Sequence, residues 1–266
     1  MKSTFFTPLL VIALGLAATV QAQVLMLDFG PTATTTPANS PYGTGAGASP
    51  VWNQVQMADP SALKFSDNTD AGVTLNLGTA TTTTTLNLGT QPGTSNALGG
   101  YSGSNTGIYA AGSVGTDAIY SGTNSVASTV GFQLSGLAAG TYDIYITARN
   151  TSRDDATSGY AQVVKVGIST SSGNFDYNGY SSKTLTYAGS LNSGAWSENV
   201  NYLKMSITLT SSDVLNLAVF GTGADLRGFL NSVQIVNTSS IPEPSTYAVL
   251  AGFTALGVVG LRRRRS

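Results

Sequence analysis

The amino-acid sequence predicts an all-β protein that folds as an antiparallel sandwich. Hydrophobic and polar residues alternate in several short segments, most clearly in TYDIYITARN at 141–150 and in YLKMSITLT at 202–210. A period of two is typical of half-buried strands. Clusters of Gly, Asn, Ser and Asp separate these segments, and helical periodicity is hard to find between them. Many short strands with turn residues between them favour two packed sheets.

Residues 1–22 predict a secretory signal peptide with a helical apolar segment. Lys2 precedes this segment, and the small residues Val20 and Ala22 stand at the two positions that a signal peptidase inspects. We therefore expect cleavage between Ala22 and Gln23. The alternative is an uncleaved membrane anchor, which the good cleavage site disfavours.

Residues 23–240 are expected to form one β-sandwich domain. In the segment 141–150, the residues Tyr142, Ile144, Ile146 and Ala148 form an apolar face, and the opposite face carries Asp143, Tyr145, Thr147 and Arg149. The remaining candidate strands are VLMLDF, VTLNLG, TTLNLG, TVGFQL, QVVKVGI, KTLTYAG, VLNLAVFG and FLNSVQIV. Each is bounded by residues that terminate strands.

Three connections can be interpreted from their composition. LSGLAAG, with Gly136 and Gly140, predicts a compact turn between two strands that pair in antiparallel fashion. LNLGT occurs at 75–79 and again at 86–90, which predicts a strand pair of similar sequence. The segment from Pro31 to Pro50 is rich in Pro, Thr, Gly and Ser and predicts a long loop across one edge of the sandwich.

The composition argues against several kinds of function. The chain has no Cys and no His, so disulfides and the commonest metal ligand and general base are absent. The body has seven basic and twelve acidic residues, a net charge of −5, and this argues against nucleic acid as a partner. Glu198 is the only glutamate of the body, while Asp154 and Asp155 are interpreted as solvated turn residues and not as the carboxylate pair of a glycosidase. We therefore predict a protein without catalytic activity, cofactor or metal.

Aromatic residues are the remaining indication of binding. Trp52 and Trp196 lie in polar segments where a sandwich could present their rings to sugar rings, and they are the candidate sugar contacts. Similar segments contain Tyr101, Tyr109, Tyr120, Tyr177 and Tyr180. Extracellular polysaccharide is the corresponding candidate partner. The alternative is a loop anchor, in which the ring is buried and the polar atom remains in water.

The C-terminal tail, residues 241–266, differs from the body. Pro242, Glu243 and Pro244 form an extended segment, because proline removes backbone donors and interrupts helices. Residues 246–261 carry no charge and would form a helix about 24 Å long, which suits a locally thinned bilayer. Four arginines follow directly, Arg262, Arg263, Arg264 and Arg265. They predict a transmembrane helix whose last residues stay in the cytoplasm, whereas a buried core helix would have no use for four consecutive charges.

The tail IPEPSTYAVLAGFTALGVVGLRRRRS resembles the PEP-CTERM sorting signal of Gram-negative and related bacteria, with Ile241 where Val is most usual. This resemblance implies that exosortase, an integral-membrane cysteine transpeptidase, recognises Pro242, Glu243 and Pro244. It further implies passage through the export machinery and temporary anchoring in the inner membrane. Processing would then leave the protein at the cell surface or outside the cell, in the matrix of a biofilm.

The body resembles, more loosely, jelly-roll domains related to galactose-binding and carbohydrate-binding modules. FQLSGLAAGTYDIYITARN, FLNSVQIV and VLMLDFGP carry this resemblance, which implies an antiparallel jelly-roll-like β-sandwich. That architecture has many functions. The first hypothesis is a non-catalytic protein of the cell envelope or extracellular matrix. The second is a carbohydrate-binding module that reaches the same place by the same route and could use calcium for structural stability. A hydrolase that acts through an Asp or through Glu198 is a third class, which the lack of a base disfavours.

Overall fold

The computed structural model describes residues 24–31, 40–43, 50–81, 84–96, 107–109, 112–152, 159–187 and 194–239. Several predicted features lie outside these ranges: the signal peptide with its cleavage site at Ala22 and Gln23, the motif at 242–244, the helix at 246–261 and the arginines at 262–265. Within the described ranges, no helix has the length and apolar character needed to cross a membrane.

The regular elements of the described chain are almost all short strands, as predicted. They are β1 (Val24–Phe29), β2 (Asn53–Val55), β3 (Thr74–Ala80), β4 (Thr85–Leu86), β5 (Thr94–Asn96), β6 (Ala118–Tyr120), β7 (Thr129–Ser135), β8 (Gly140–Thr147), β9 (Ala161–Ser169), β10 (Phe175–Asp176), β11 (Ser181–Thr186), β12 (Leu203–Leu209), β13 (Val214–Thr222), β14 (Phe229–Leu230) and β15 (Ser232–Asn237). A single 3-10 turn, Gly107–Tyr109, is the helical element of these ranges.

Two five-stranded sheets enclose the core, which confirms the predicted sandwich. Sheet 1 has the order β12-β8-β15-β1-β2 and sheet 2 the order β11-β9-β13-β7-β3. Neighbouring strands are antiparallel, except that β1 and β2 run parallel. Both sheets contribute Leu, Val, Ile and Phe side chains to one cluster, in which the rings of Phe29 and Phe132 stack 5.7 Å apart.

The alternation predicted for β8 is correct on its apolar face and partly wrong on the other. Tyr142, Ile144 and Ile146 are buried in the core, as expected. On the opposite face, however, Thr147 and Arg149 are also buried. The reason is that long connections cover this end of sheet 1.

The predicted pairing across LSGLAAG is wrong. β7 belongs to sheet 2 and β8 to sheet 1, so the connection crosses from one sheet to the other. The turn itself is compact, and Gly136 has a positive φ of 89°. A Cβ at this position would lie 2.9 Å from the carbonyl oxygen of Gly72, so the close passage of two backbones requires glycine.

The two LNLGT copies do not form the predicted strand pair. The first copy lies in β3, at the edge of sheet 2. In the second copy, Asn87 exchanges two backbone hydrogen bonds with Thr79, but β4 pairs with β10 and not with β3. β4 and β10 together cover the outer face of sheet 2, where Leu86 and Phe175 pack near Ala218.

The two ends of the sandwich differ in their connections. Val24 pairs with Val236, so the first strand β1 begins at the same end of the sandwich at which the last strand β15 finishes. We call this end the terminal end. The opposite end, which we call the loop end, carries the described parts of the connections 148–160, 187–202 and 81–128. Side chains of these connections bring together the groups described next.

Candidate functional site

Arg149 is the centre of a polar and aromatic cluster at the loop end. It follows β8, and its side chain is only 1% exposed. Its guanidinium carbon lies 4.7 Å from the ring centre of Tyr187 and 5.6 Å from that of Tyr109. Both distances allow cation-π contacts, which are worth about 2 kcal/mol each when they are shielded from water.

Two half-buried rings extend this arrangement to the surface. Trp196 packs edge-on against Tyr109 with ring centres 6.0 Å apart. Tyr160 stacks on Tyr187 at 6.1 Å with an angle of 10° between the planes. Arg149 therefore stands in the middle of four rings, of which the outer two reach the surface. We call these five residues the loop-end cluster.

Amide groups fix the inner part of the cluster. The hydroxyl of Tyr187 accepts hydrogen bonds from the backbone N–H of Asn150 at 2.8 Å and from the side chain of Gln162 at 3.0 Å. The side chain of Asn150 in turn donates to Asp225 at 3.0 Å. Asp225 also accepts two hydrogen bonds from the guanidinium of Arg227, at 2.9 and 2.7 Å.

Tyr109, Tyr187 and Asp225 each keep one charge state at neutral pH. Burial raises the pKa of Tyr109 to about 12, and it also raises the pKa of Tyr187, although the charge of Arg149 opposes both effects. Burial alone would raise the pKa of the Asp225 carboxyl, but hydrogen bonds from Arg227 and Asn150 outweigh it and hold this pKa below its ordinary value. The phenols are thus suited to hydrogen bonding and packing, and not to proton transfer.

Trp52 lies elsewhere, in an aromatic group on the outer face of sheet 1. The ring of Tyr42 is 5.3 Å from that of Tyr145, which is 5.9 Å from that of Tyr202. Lys204 places its ammonium 5.4 Å from the centre of the Tyr145 ring. Trp52, Tyr42 and Tyr145 pack on the outward-facing apolar residues of this sheet, Val24, Met26 and Val236.

The position of Tyr42 corrects the predicted course of the loop 31–50. Its backbone N–H donates to the side chain of Gln234 at 3.0 Å, in the middle strand β15. The described part of the loop therefore crosses the outer face of sheet 1 and not an edge. Val24 and Met26 explain this course, because they point outward from β1 and are covered there.

The two tryptophans belong to separate clusters, so they do not form one sugar-binding platform. Each is half-buried, and the indole N–H of each is covered. Any part of these side chains that reaches solvent is therefore carbon. A simple loop anchor would show the opposite arrangement, with its polar atom in water. Carbon surface is what a sugar ring needs for stacking, and the assignment of both residues as sugar contacts stays a prediction.

The tail matches a known sorting signal. A protein-family model described as the PEP-CTERM protein-sorting motif matches residues 240–265. The chain therefore carries a PEP-CTERM sorting motif at its C-terminal end, as the resemblance of the tail implied. A motif of this kind implies export and processing by exosortase. A search of curated proteins found no match to the chain.

Three solved structures show a distant similarity to the fold. The first is TmCBM61 in complex with β-1,4-galactotriose, with 15% identity, a TM-score of 0.24, and coverage of 46% of this chain and 72% of that one. The second is the GH115 4-O-methyl-α-glucuronidase BtGH115A with specificity for decorated arabinogalactans, with 14% identity, a TM-score of 0.29, and coverage of 54% of this chain and 17% of that one. The third is the enzymatically active domain of bacteriophage CBA120 tailspike protein 4, with 8% identity, a TM-score of 0.29, and coverage of 61% of this chain and 19% of that one. The chain spans less than a fifth of the latter two.

Proposed function

We propose that this chain is an exported, non-catalytic protein of the cell envelope or extracellular matrix, with a jelly-roll-like body, which exosortase processes through the C-terminal motif. The position of that motif carries the proposal. The match begins at residue 240, and the last strand of the sandwich finishes at Asn237. A folded β domain is thus followed at once by the recognition motif, the apolar segment and the arginines.

The two ends of the sandwich support a surface location. Six residues, 240–245, separate Ser239 from the apolar segment, and fully extended they span about 20 Å. Because β15 leaves at the terminal end, an anchored sandwich would lie close to the bilayer with its loop end pointing away from it. The loop-end cluster would then face the surroundings of the cell.

The chemistry of the loop-end cluster supports a role other than catalysis. Tyr109 and Tyr187 stay protonated at neutral pH, and Arg227 neutralises Asp225. The sequence supplies neither His nor Cys as a base or nucleophile. Packing and hydrogen bonding are the roles that these side chains are suited to perform.

The intact mass of the protein from its own cells tests the routing. We expect the wild-type product to lack residues 1–22 and the arginines 262–265. Glu243→Gln should retain the arginines, because it alters the centre of the recognition motif. Glu198→Gln is the matched control, since Glu198 is the other glutamate of the chain and its side chain forms an exposed ion pair with Lys183. Retention of the arginines in wild-type cells would contradict the proposal.

A second candidate function is the binding of extracellular polysaccharide at the loop end. The favouring observation is the pair of half-buried rings, Trp196 and Tyr160, on either side of Arg149. Their inner partners are fixed by packing and hydrogen bonds, so the outer rings rest on a rigid base. Preorganised aromatic surface of this kind suits the C–H faces of sugar rings.

A glycan array with the recovered protein tests this second function. We expect Trp196→Ala to weaken binding to any positive glycan about tenfold or more, as loss of a central aromatic anchor does. If the site lies at the loop end, Trp52→Ala should retain binding, because Trp52 lies in a separate cluster. Loss of binding in Trp52→Ala alone would show that the glycan site lies at Trp52, on the outer face of sheet 1. If the wild-type protein binds no glycan on a broad array, the second function is wrong.

A further inference from the structure

We propose that the folded domain restricts access to its own sorting motif, and that the hydrogen bonds that join Thr141 with Thr238 and Ser239 must open before exosortase can process the tail. The inference rests on the proposed function, since it concerns the same processing step. It identifies the residues of the body that control access to the motif.

The chain remains fixed for two residues after β15. The backbone N–H and the hydroxyl of Thr238 both donate to the carbonyl oxygen of Thr141, at 2.8 and 2.9 Å. The backbone N–H of Thr141 donates to the hydroxyl oxygen of Ser239 at 2.7 Å. The backbone N–H of Ser239 donates to the side-chain oxygen of Asn237 at 3.0 Å. We call these four hydrogen bonds the C-terminal clamp.

The clamp rests directly on the backbone of β8. The side chain of Asn237 is 7% exposed and donates to the hydroxyl of Tyr142 at 3.4 Å. Tyr142 itself donates to the carbonyl oxygen of Ala138 at 2.7 Å. A Cβ on Gly140 would lie 3.1 Å from the hydroxyl oxygen of Ser239, so the end of the chain fits closely over this glycine. The last described residues therefore belong to the folded body and not to a free linker.

The stretch of chain between the clamp and the motif is shorter than the domain is wide. Ser240 and Ile241 alone separate Ser239 from Pro242, and the extended chain reaches at most about 11 Å between them. A five-stranded sheet is about 20 Å across, and a second sheet packs about 10 Å from it. A membrane enzyme that binds the motif as an extended segment would therefore collide with the folded domain. When Thr238 and Ser239 are released, four residues instead of two separate the last fixed residue from Pro242.

Opening is possible without unfolding the sandwich. Thr238 is half-buried and Ser239 is exposed, so water can replace their hydrogen bonds. Each such bond changes the open fraction about 2- to 10-fold. If exosortase processes only molecules whose clamp is open, the rate of processing is proportional to the fraction of such molecules.

Pulse-chase of the full-length chain in its own cells, with tail loss followed by mass, tests the clamp. The double variant Thr238→Val and Ser239→Ala removes two of the four clamp bonds, so we expect it to raise the first-order rate of tail loss about 4- to 100-fold. Thr208→Val is the matched control. It removes a hydroxyl 3.1 Å from the hydroxyl of Thr141 on the β12 side and leaves the clamp intact, so its rate should equal that of the wild type.

A linker variant separates access from general destabilisation. Six Gly and Ser residues inserted between Ser239 and Ser240 leave every clamp bond in place, and we expect them to raise the rate at least as much as the double variant does. The double variant should add nothing in that background, whereas additive acceleration would overturn the clamp. An unchanged or lower rate in the double variant, with normal wild-type processing, would overturn the clamp alone. A wild-type tail that is never removed would overturn the proposed function as well.

Discussion

Gly131→Ala is expected to lower the free energy of unfolding by more than about 3 kcal/mol. Gly131 lies in β7, an inner strand of sheet 2 between β13 and the edge strand β3. A Cβ at this position would overlap the carbonyl oxygen of Leu217 and lie 3.0 Å from the Cα of Ala218. Both are backbone atoms of a neighbouring strand, so no side-chain rotation relieves the overlap. The strands would have to separate locally, at the cost of ladder hydrogen bonds.

Small residues occur on the outer face of sheet 2 because two further strands, β4 and β10, pack on this face. Gly78, Gly131 and Ala218 lie opposite one another on three adjacent strands. Leu86 of β4 and Phe175 of β10 pack in the same cluster as Ala218. The small residues thus make room for the two-stranded cover, and a larger side chain would displace it.

Urea unfolding followed by tryptophan fluorescence measures this loss. Gly179→Ala is the control, because no atom lies within 4 Å of the position of its Cβ. We expect this control to change the free energy of unfolding by no more than about 0.5 kcal/mol. A midpoint for Gly131→Ala equal to that of the wild type would show that sheet 2 adapts at this position, contrary to the close packing described above.

The sequence predicts the strands well because a strand's pattern is local. The period of two in TYDIYITARN was enough to identify β8 and its core face. The partners of a strand are not local: β8 pairs with β12 and β15, far along the chain. The Gly136 turn shows the limit, because a compact glycine turn can either join paired strands or pass from one sheet to the other. The residues around it do not distinguish the two courses.

The sorting motif can be identified from the sequence and the loop-end cluster cannot, again because one is local in the chain and the other is not. The motif is contiguous, so its parts could be identified in order along the tail and the family model matches them. The cluster draws its residues from separate connections, and of its members the sequence indicates Trp196 as a candidate sugar contact and Tyr109 as an aromatic residue of a similar polar segment. The alternation predicts Arg149 on a polar strand face, and the one available signal, an arginine directly after an amphipathic strand, is typical of an exposed residue. The burial of Arg149 depends on Tyr109, which precedes β8 in the sequence, and on Tyr187, which follows it.

Arg149→Met is expected to lower the free energy of unfolding by about 3 kcal/mol or more. Methionine has a similar length but no charge, so the variant removes the guanidinium between two rings that are shielded from water. Each of these contacts is worth about 2 kcal/mol in a desolvated setting. The polar groups that surround a buried guanidinium would also lose a partner.

Lys165→Met is the matched control for the loss at Arg149. Lys165 makes the same type of contact, with its ammonium 6.0 Å from the ring centre of Tyr177, but it is accessible to solvent and donates to the carbonyl oxygen of Asn178. Water screens this charge, so we expect a loss of no more than about 1 kcal/mol. Urea unfolding with tryptophan fluorescence measures both, and Trp196 reports on the cluster because it packs on Tyr109. Equal small losses in the two variants would mean that Arg149 does not hold the rings together, and the rigid base proposed for glycan binding would then be lost with it.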